Sequence, residues 1–153
     1  MSNRIAIGAL SLSAAAFGAL VLHEGYSPVA YTPVAGDVPT IGFGTTEGVK
    51  LGDTITPPQA VIRALQDVSK FEGAIKQCVT VALHQREYDA YTSLAYNIGP
   101  TAFCGSTLVK RLNALDYIAA CQEILRWDKF KGQPLRGLTL RRQAEFKQCM
   151  GEA

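Results

Sequence analysis

The sequence changes character sharply at Leu22, and that change limits what the chain can fold into. From Ile5 to Leu22 no residue carries a charge, and Arg4 stands just before the run. After it come Ser27-Pro28, Thr32-Pro33, Ala35-Gly36-Asp37 and Val38-Pro39. Prolines and glycines at that density exclude a helix. A helix fits before the break, and only short strands and turns fit directly after it. A single carboxylate, Glu24, sits at the break.

The eighteen residues of the run, as one α-helix, are just long enough to cross the hydrocarbon core of a bilayer. The positive flank would then stay inside and the remainder would be exported. The run is poor in bulky side chains, however. Ala6, Ala9, Ala14, Ala15, Ala16, Ala19, Gly8, Gly18, Ser11 and Ser13 make up more than half of it. Such residues bury little apolar area, so transfer into lipid is only weakly favourable. Three readings stay open on these grounds. One is a cleaved signal peptide with a weak small-x-small site at Ala16-Phe17-Gly18, although that site falls inside the run. The second is a buried helix of a soluble protein. The third is a span weak enough to enter a membrane and later leave it.

The totals narrow the function classes. A chain of 153 residues is one ordinary domain with room for a real core. A net charge of +2 makes no case for nucleic acid, and 48% hydrophobic with 18% charged residues excludes disorder. Of the four cysteines, Cys78, Cys104, Cys121 and Cys149, none forms a CxxC pair, and His23 and His84 are far apart, so no metal site is expected. Gly42-Phe43-Gly44 lacks the third glycine and the following helix of a dinucleotide fingerprint, and no cofactor is expected. Ser27, Ser93 and Ser106 lack the G-x-S-x-G frame of a serine hydrolase.

Val29–Tyr31 and Thr40–Phe43 read as two short strands around a turn centred on Gly36. Thr56-Pro57 opens a helix, threonine as cap and proline at the first helical position, which the apolar spacing of Ala60, Ile62, Leu65, Val68 and Phe71 carries to about Lys76. Further helices are expected at about Gln85–Asn97, Ser106–Ala114, Tyr117–Arg126 and Thr139–Gln148. Ser106 and Thr139 serve as caps, with Gly99, Gly105, Gly132 and Gly137 as punctuation. The predicted fold is α+β, a small hairpin lobe beside a larger helical lobe with a cleft between them. An acid set against apolar residues, with polar groups returned to it by a hairpin, is one way to build a general acid. An isolated glutamate before a turn is more often a solvated residue, and Arg141-Arg142 more often a solvated helix face. One of those arginines can instead return to hold a carboxylate.

Taken as a whole, Glu24-Gly25, Ala30-Tyr31 and Thr40-Ile41-Gly42-Phe43-Gly44-Thr45-Thr46 resemble the active-site segment of the phage-type lysozymes, the endolysins. Ala95-Tyr96-Asn97-Ile98-Gly99 with Phe103–Leu108, Cys121–Trp127 and Gly137–Glu145 follow in the family's order, so the resemblance covers roughly Leu22 to Cys149. It implies a lysozyme-like fold and hydrolysis of the β-1,4 bond between N-acetylmuramic acid and N-acetylglucosamine in peptidoglycan. Carried over by position, Glu24 is the proton donor, Thr40 positions the attacking water, Asn97 contacts substrate, and Arg142 (less so Arg141) supports the glutamate. A proton donor must hold its proton near neutrality, which an apolar setting favours.

The family pattern fails between Thr32 and Asp37. The family's aspartate, two residues after the tyrosine matched by Tyr31, is Pro33 here, and one extra residue separates Glu24 from Thr40. Asp37 is the only acid inside the hairpin. It is the candidate water-activating carboxylate if the turn at Ala35-Gly36 brings it to the face of Thr40; otherwise Glu24 and Thr40 work alone.

The weak apolar run fits a subgroup, the signal-anchor-release endolysins. The resemblance then divides the chain into an anchor at residues 1–22 and a catalytic domain at 23–153. Residues 5–22 hold an inactive enzyme at the periplasmic face of the host inner membrane until collapse of the membrane potential releases it, uncleaved, to the periplasm. With no cysteine in the anchor, a disulfide exchange there is excluded. In that oxidising compartment, proximity in the inferred helical lobe pairs Cys78 with Cys104 and Cys121 with Cys149, one of three possible pairings. The partners implied are peptidoglycan and the membrane, with no nucleic acid, and the enzyme is expected to be a monomer. Two rivals stand beside this reading: a lytic transglycosylase of related fold, which needs no second carboxylate, and a non-catalytic peptidoglycan-binding or membrane-anchored protein.

Overall fold

The computed structural model describes residues 3–152. Residues 1, 2 and 153, outer limits of the expected anchor and catalytic domain, lie outside the described residues. The chain forms two compact units. One comprises Phe17–Lys70, the other Met1–Ala16 with Phe71–Ala153. Their boundaries fall inside two helices, α1 (Ala14–Glu24) and α2 (Pro57–Cys78).

The unit of Phe17–Lys70 carries the hairpin. Strands β1 (Ser27–Tyr31) and β2 (Thr40–Gly42) pair antiparallel with Ser27 opposite Gly42 and Tyr31 opposite Thr40, an irregularity in register lying between. The second edge of β1 is also used. Ala30 donates to the Asp53 carbonyl and Ile55 donates to the Pro28 carbonyl, both at 2.9 Å. Ala30, Ile41 and Val49 form a small core with Ile55 against it.

Directly after β2 the chain turns back on itself: Ile41 and Thr45 exchange backbone hydrogen bonds of 2.9 and 3.0 Å. Gly42 stands inside this turn at φ +64°, and a Cβ there would lie 3.0 Å from Ala60 Cβ of α2. Both the backbone conformation and the close approach require glycine.

The other unit is helical. Helix α3 (Gln85–Ile98) is buried from Glu87 to Thr92 and again at Leu94 and Ala95, so it runs through the core with little exposed face. Around it lie α4 (Pro100–Cys104), α5 (Thr107–Asn113), α6 (Tyr117–Glu123) and α7 (Arg136–Met150). Ile75, Leu83, Tyr88, Tyr91, Phe103, Leu112 and Ile124 are among the core side chains. Burial pushes the phenols of Tyr88 and Tyr91 above the usual tyrosine range. Disulfides join Cys78 to Cys104 and Cys121 to Cys149, spanning 26 and 28 residues. Loops of that length contribute about 3.5 kcal/mol each in the chain-entropy picture.

Helices α2, α3 and α5 occupy their expected ranges, with Ser106 Oγ accepting from Val109 N at 3.3 Å as the cap of α5. Three expectations are corrected. First, Thr139 is not a cap: α7 begins at Arg136 and Gly137 lies within its first turn. Thr139 Oγ1 donates instead to Asp128 Oδ2 at 3.1 Å. An unforeseen hairpin, β3 (Lys129–Phe130) and β4 (Gln133–Pro134), delivers the chain to this earlier start. It turns on Lys131 and Gly132, both at positive φ, as a two-residue hairpin loop demands. Second, the helix expected over Tyr117–Arg126 ends at Glu123 and tightens into a 3-10 turn over Ile124–Arg126.

The third correction concerns the apolar run, which does not form one helix. Ile5 exchanges backbone hydrogen bonds of 2.8 and 2.9 Å with Leu83, Ile7–Ala9 form a 3-10 turn, and only Ala14–Glu24 are α-helical. Among the described residues no helix is long and apolar enough to cross a membrane. The cause is polar. Asp89 accepts from Ser13 N at 3.0 Å and from Ser13 Oγ at 2.8 Å, while Glu72 accepts from Leu12 N at 2.6 Å. Ser13 Oγ in turn accepts from Ala16 N at 3.1 Å, starting the helix there. Leu10 and Leu20 are buried; Leu22 is 84% exposed.

Gly42→Ala is expected to cost about 1–3 kcal/mol through forced left-handed backbone and the clash with Ala60. Urea denaturation of the variant measures it, and an unchanged midpoint would contradict the turn geometry.

Candidate active site

Glu24 is the last residue of α1. The helix stops because Gly25, at φ +68°, takes the left-handed conformation while its N–H closes on the Val21 carbonyl at 3.1 Å. The half-buried Glu24 therefore sits where helix gives way to strand. It lines a depression of about 280 Å³ with Gly25, Tyr26, Ser27 and Tyr31. Tyr26 is tied down at both ends, its hydroxyl donating to the Ile55 carbonyl at 2.9 Å and its ring 5.5 Å from the Phe43 ring.

Thr40 opens β2 with a buried side chain whose Oγ1 donates to the Val38 carbonyl at 3.3 Å. With its proton so engaged, the oxygen keeps lone pairs that can accept from a water. Asp37 is exposed, its backbone N–H closing the turn onto Val34 at 3.0 Å and its Oδ1 accepting from Val38 N at 2.9 Å. Neither Asp37 nor Thr40 is among the residues lining the depression that holds Glu24. Thr45 Oγ1 donates to Asp67 Oδ2 at 2.7 Å, fastening the far end of the turn to α2.

The other two candidates belong to the helical unit and meet each other. Arg142 of α7 is completely buried, and its Nη1 donates to Asn97 Oδ1 at 3.0 Å. Asn97, near the end of α3, is exposed, so one side of it is held while the rest faces solvent. Arg142 Nε and Nη2 lie 2.8 and 3.1 Å from the two oxygens of buried Glu145. Arg141 Nε reaches Glu145 Oε1 at 3.3 Å, and Ser93 Oγ donates to the same oxygen at 2.7 Å. Such paired, multiply hydrogen-bonded charges fix geometry more than they add net stability.

Glu145 is not among the residues to which the sequence points. The signal was present, since Arg141, Arg142 and Glu145 stand at the i,i+4 and i,i+3 spacings that bring side chains together on a helix. Nothing in the string marked it as buried. Tyr31 as a neighbour of Glu24 is likewise a result of folding, whereas Tyr26 stands only two residues away in the chain. Among the described residues no cluster of His, Cys, Asp and Glu could hold a metal ion.

The family model described as phage lysozyme matches residues 21–145. A SAR-endolysin of Pseudomonas phage phiKMV is 41% identical over 141 residues, covering 90% of this chain and 87% of that protein. Among solved structures, the endolysin from Escherichia coli O157:H7 phage FAHEc1 shares 36% identity with a TM-score of 0.80, covering 94% of this chain and 95% of its own. The active form of P1 phage endolysin Lyz has a TM-score of 0.79 at 23% identity, covering 99% and 97%, a likeness of fold.

Replacing Glu145 with alanine removes the carboxylate that both arginines share. The expected cost is about 3–5 kcal/mol, read from chemical denaturation, because a buried charge loses its partner. A loss below about 1 kcal/mol would show that Glu145 does not hold the cluster.

Proposed function

The chain belongs to the phage lysozyme family and is a glycoside hydrolase, and on that premise we propose that it is an endolysin cutting the β-1,4 bond between N-acetylmuramic acid and N-acetylglucosamine. Glu24 gives its proton to the leaving oxygen, and the sugar passes through an oxocarbenium-like transition state. Thr40 accepts a hydrogen bond from the attacking water and so positions it. Asn97 contacts the glycan, and Arg142 supports the catalytic glutamate from a setting fixed by Glu145. The observation that carries this assignment is Glu24 at the end of α1, in a depression whose Tyr31 stands opposite Thr40 across the hairpin.

Asp37 is the carboxylate proposed to activate the water. A second reading, in which Glu24 and Thr40 suffice and Asp37 only shapes the turn, is favoured by the hydrogen bond that Asp37 Oδ1 accepts from Val38. Residues 5–22 are proposed as the anchor that holds the enzyme inactive at the periplasmic face of the host inner membrane and then leaves it uncleaved for the periplasm. Support comes from two sides. The run is only weakly apolar, and in the folded chain its backbone and Ser13 are bound by Glu72 and Asp89. The released enzyme acts as a monomer.

Glu24→Gln is expected to lower the lysis rate of permeabilised Gram-negative cells by about 10²-fold or more; unchanged lysis would sink the assignment. Asp37→Asn at full activity would select the second reading. Mass spectrometry of the products should find reducing muramic acid ends, whereas anhydro-muramyl ends would mean a transglycosylase.

For the anchor, fractionated cells should yield the same unprocessed N-terminus in membrane and periplasmic pools. A single form shortened near Gly18 would reject uncleaved release.

A further inference from the structure

Tyr31 has no part in the chemistry above, yet its place in the fold relates it to two of the groups that do. It lines the depression that holds Glu24. It is also the register partner of Thr40. Residues directly opposite in an antiparallel pair project from the same face of the sheet, with Cβ atoms about 5 Å apart. The ring of Tyr31 therefore shares a face with the Thr40 hydroxyl and a hollow with the Glu24 carboxyl.

Its exposure is telling in that position. Tyr31 is 44% exposed although the Thr40 side chain opposite is buried at 7%. Neighbouring Tyr26 is 39% exposed, but its hydroxyl is bonded to Ile55 and its ring lies beside Phe43. An aromatic ring left open beside an acid offers an apolar, electron-rich face. The C–H face of a pyranose is apolar with partly positive hydrogens and complements such a ring.

We propose that Tyr31 is a substrate-positioning residue whose ring receives the apolar face of the N-acetylhexosamine unit next to the scissile bond, setting its oxygen toward Glu24. This rests on Glu24 being the proton donor. The depression of about 280 Å³ is a shallow seat for one sugar ring and not a tunnel for a chain. Stacking present in both ground and transition states lowers KM and leaves kcat nearly untouched. A merely structural tyrosine would instead change stability, or both constants together.

The test uses the full chain in its soluble form with peptide-stripped glycan strands, following the release of reducing ends. Tyr31→Leu should raise KM about fivefold with kcat within about twofold of the parent, and Tyr31→Phe should keep both constants. An unchanged KM in Tyr31→Leu overturns the proposal. So does a fall in kcat at constant KM, or a Tyr31→Phe variant as impaired as Tyr31→Leu, since the hydroxyl would then be the working group. Should Tyr31→Leu unfold, Tyr31→Thr keeps strand propensity without the ring and carries the same expectations. Glu24→Gln, measured alongside, separates the two failures. Full activity there removes the proton donor and this inference with it, whereas an inactive Glu24→Gln with an unaffected Tyr31→Leu removes only the role of Tyr31.

Discussion

A carboxylate buried in an apolar core has to be paired where it stands, and the helical unit is built around three of them. Glu87, Asp89 and Glu145 are 2%, 5% and 3% exposed. Glu87 takes the Arg4 guanidinium at 2.8 and 3.2 Å, and that guanidinium lies 3.5 Å from the centre of the Tyr117 ring. It also accepts from His84 N at 2.8 Å, capping α3. Asp89 takes Ser13, and Glu145 takes two arginines and Ser93. Two of the three carboxylates stand on α3 and take the N-terminal segment, while Ser93 and Asn97 of the same helix bind Glu145 and Arg142 of α7. Desolvation makes each of these groups costly when left alone, which ties segments far apart in sequence into one cooperative unit.

The same constraint accounts for the N-terminal run. A leucine-rich segment would bury itself by area alone. This one has little area to bury, and apart from Leu10 and Ile7 its hold on the helical unit is polar. Glu72 and Asp89 take its N–H groups, and its carbonyls go to Lys76 from Leu10 at 2.5 Å and to Gln85 from Ser11 at 2.8 Å. Attachment through backbone groups and one hydroxyl suits a stretch in which alanine, glycine and serine are ten of the eighteen residues. It is also compatible with a second setting, where those backbone groups satisfy each other in a continuous helix and the small side chains face lipid.

In the hairpin unit, apolar burial is slight and backbone constraint takes its place. A two-stranded ribbon is marginal by itself in water. Here β1 gains a second set of hydrogen bonds from Asp53 and Ile55, and the turn after β2 is closed by Ile41 and Thr45. Gly42 allows the close approach of α2, and Thr45 is bonded to Asp67 of that helix. These constraints hold Thr40 and Tyr31 in register, so the side chains proposed to act on water and sugar are placed by the backbone around them.

Much of this was legible in the string. The break at Leu22, the prolines after it, the Thr56-Pro57 start and the apolar spacing of α2, α3 and α5 are local signals, and local sterics decide them. The run of motifs from Glu24 to Thr46 marked the family because a helix stop, a hairpin and a glycine turn at fixed spacing leave few ways to fold. Start and length of α1 and α7 were different. Ser13 begins α1 because Asp89, 76 residues away, binds it, and α7 starts at Arg136 after a hairpin whose turn rests on positive φ at Lys131. Burial of Glu145 and the pairing of Tyr31 with Thr40 were equally out of reach of spacing. The sequence by itself determined the class of fold, the place of Glu24 at the break and the glycine turn, because those depend on neighbours in the chain. Tertiary structure alone decided how the apolar run is divided, which carboxylates are buried and what faces Thr40, because each depends on a partner brought in from elsewhere in the chain.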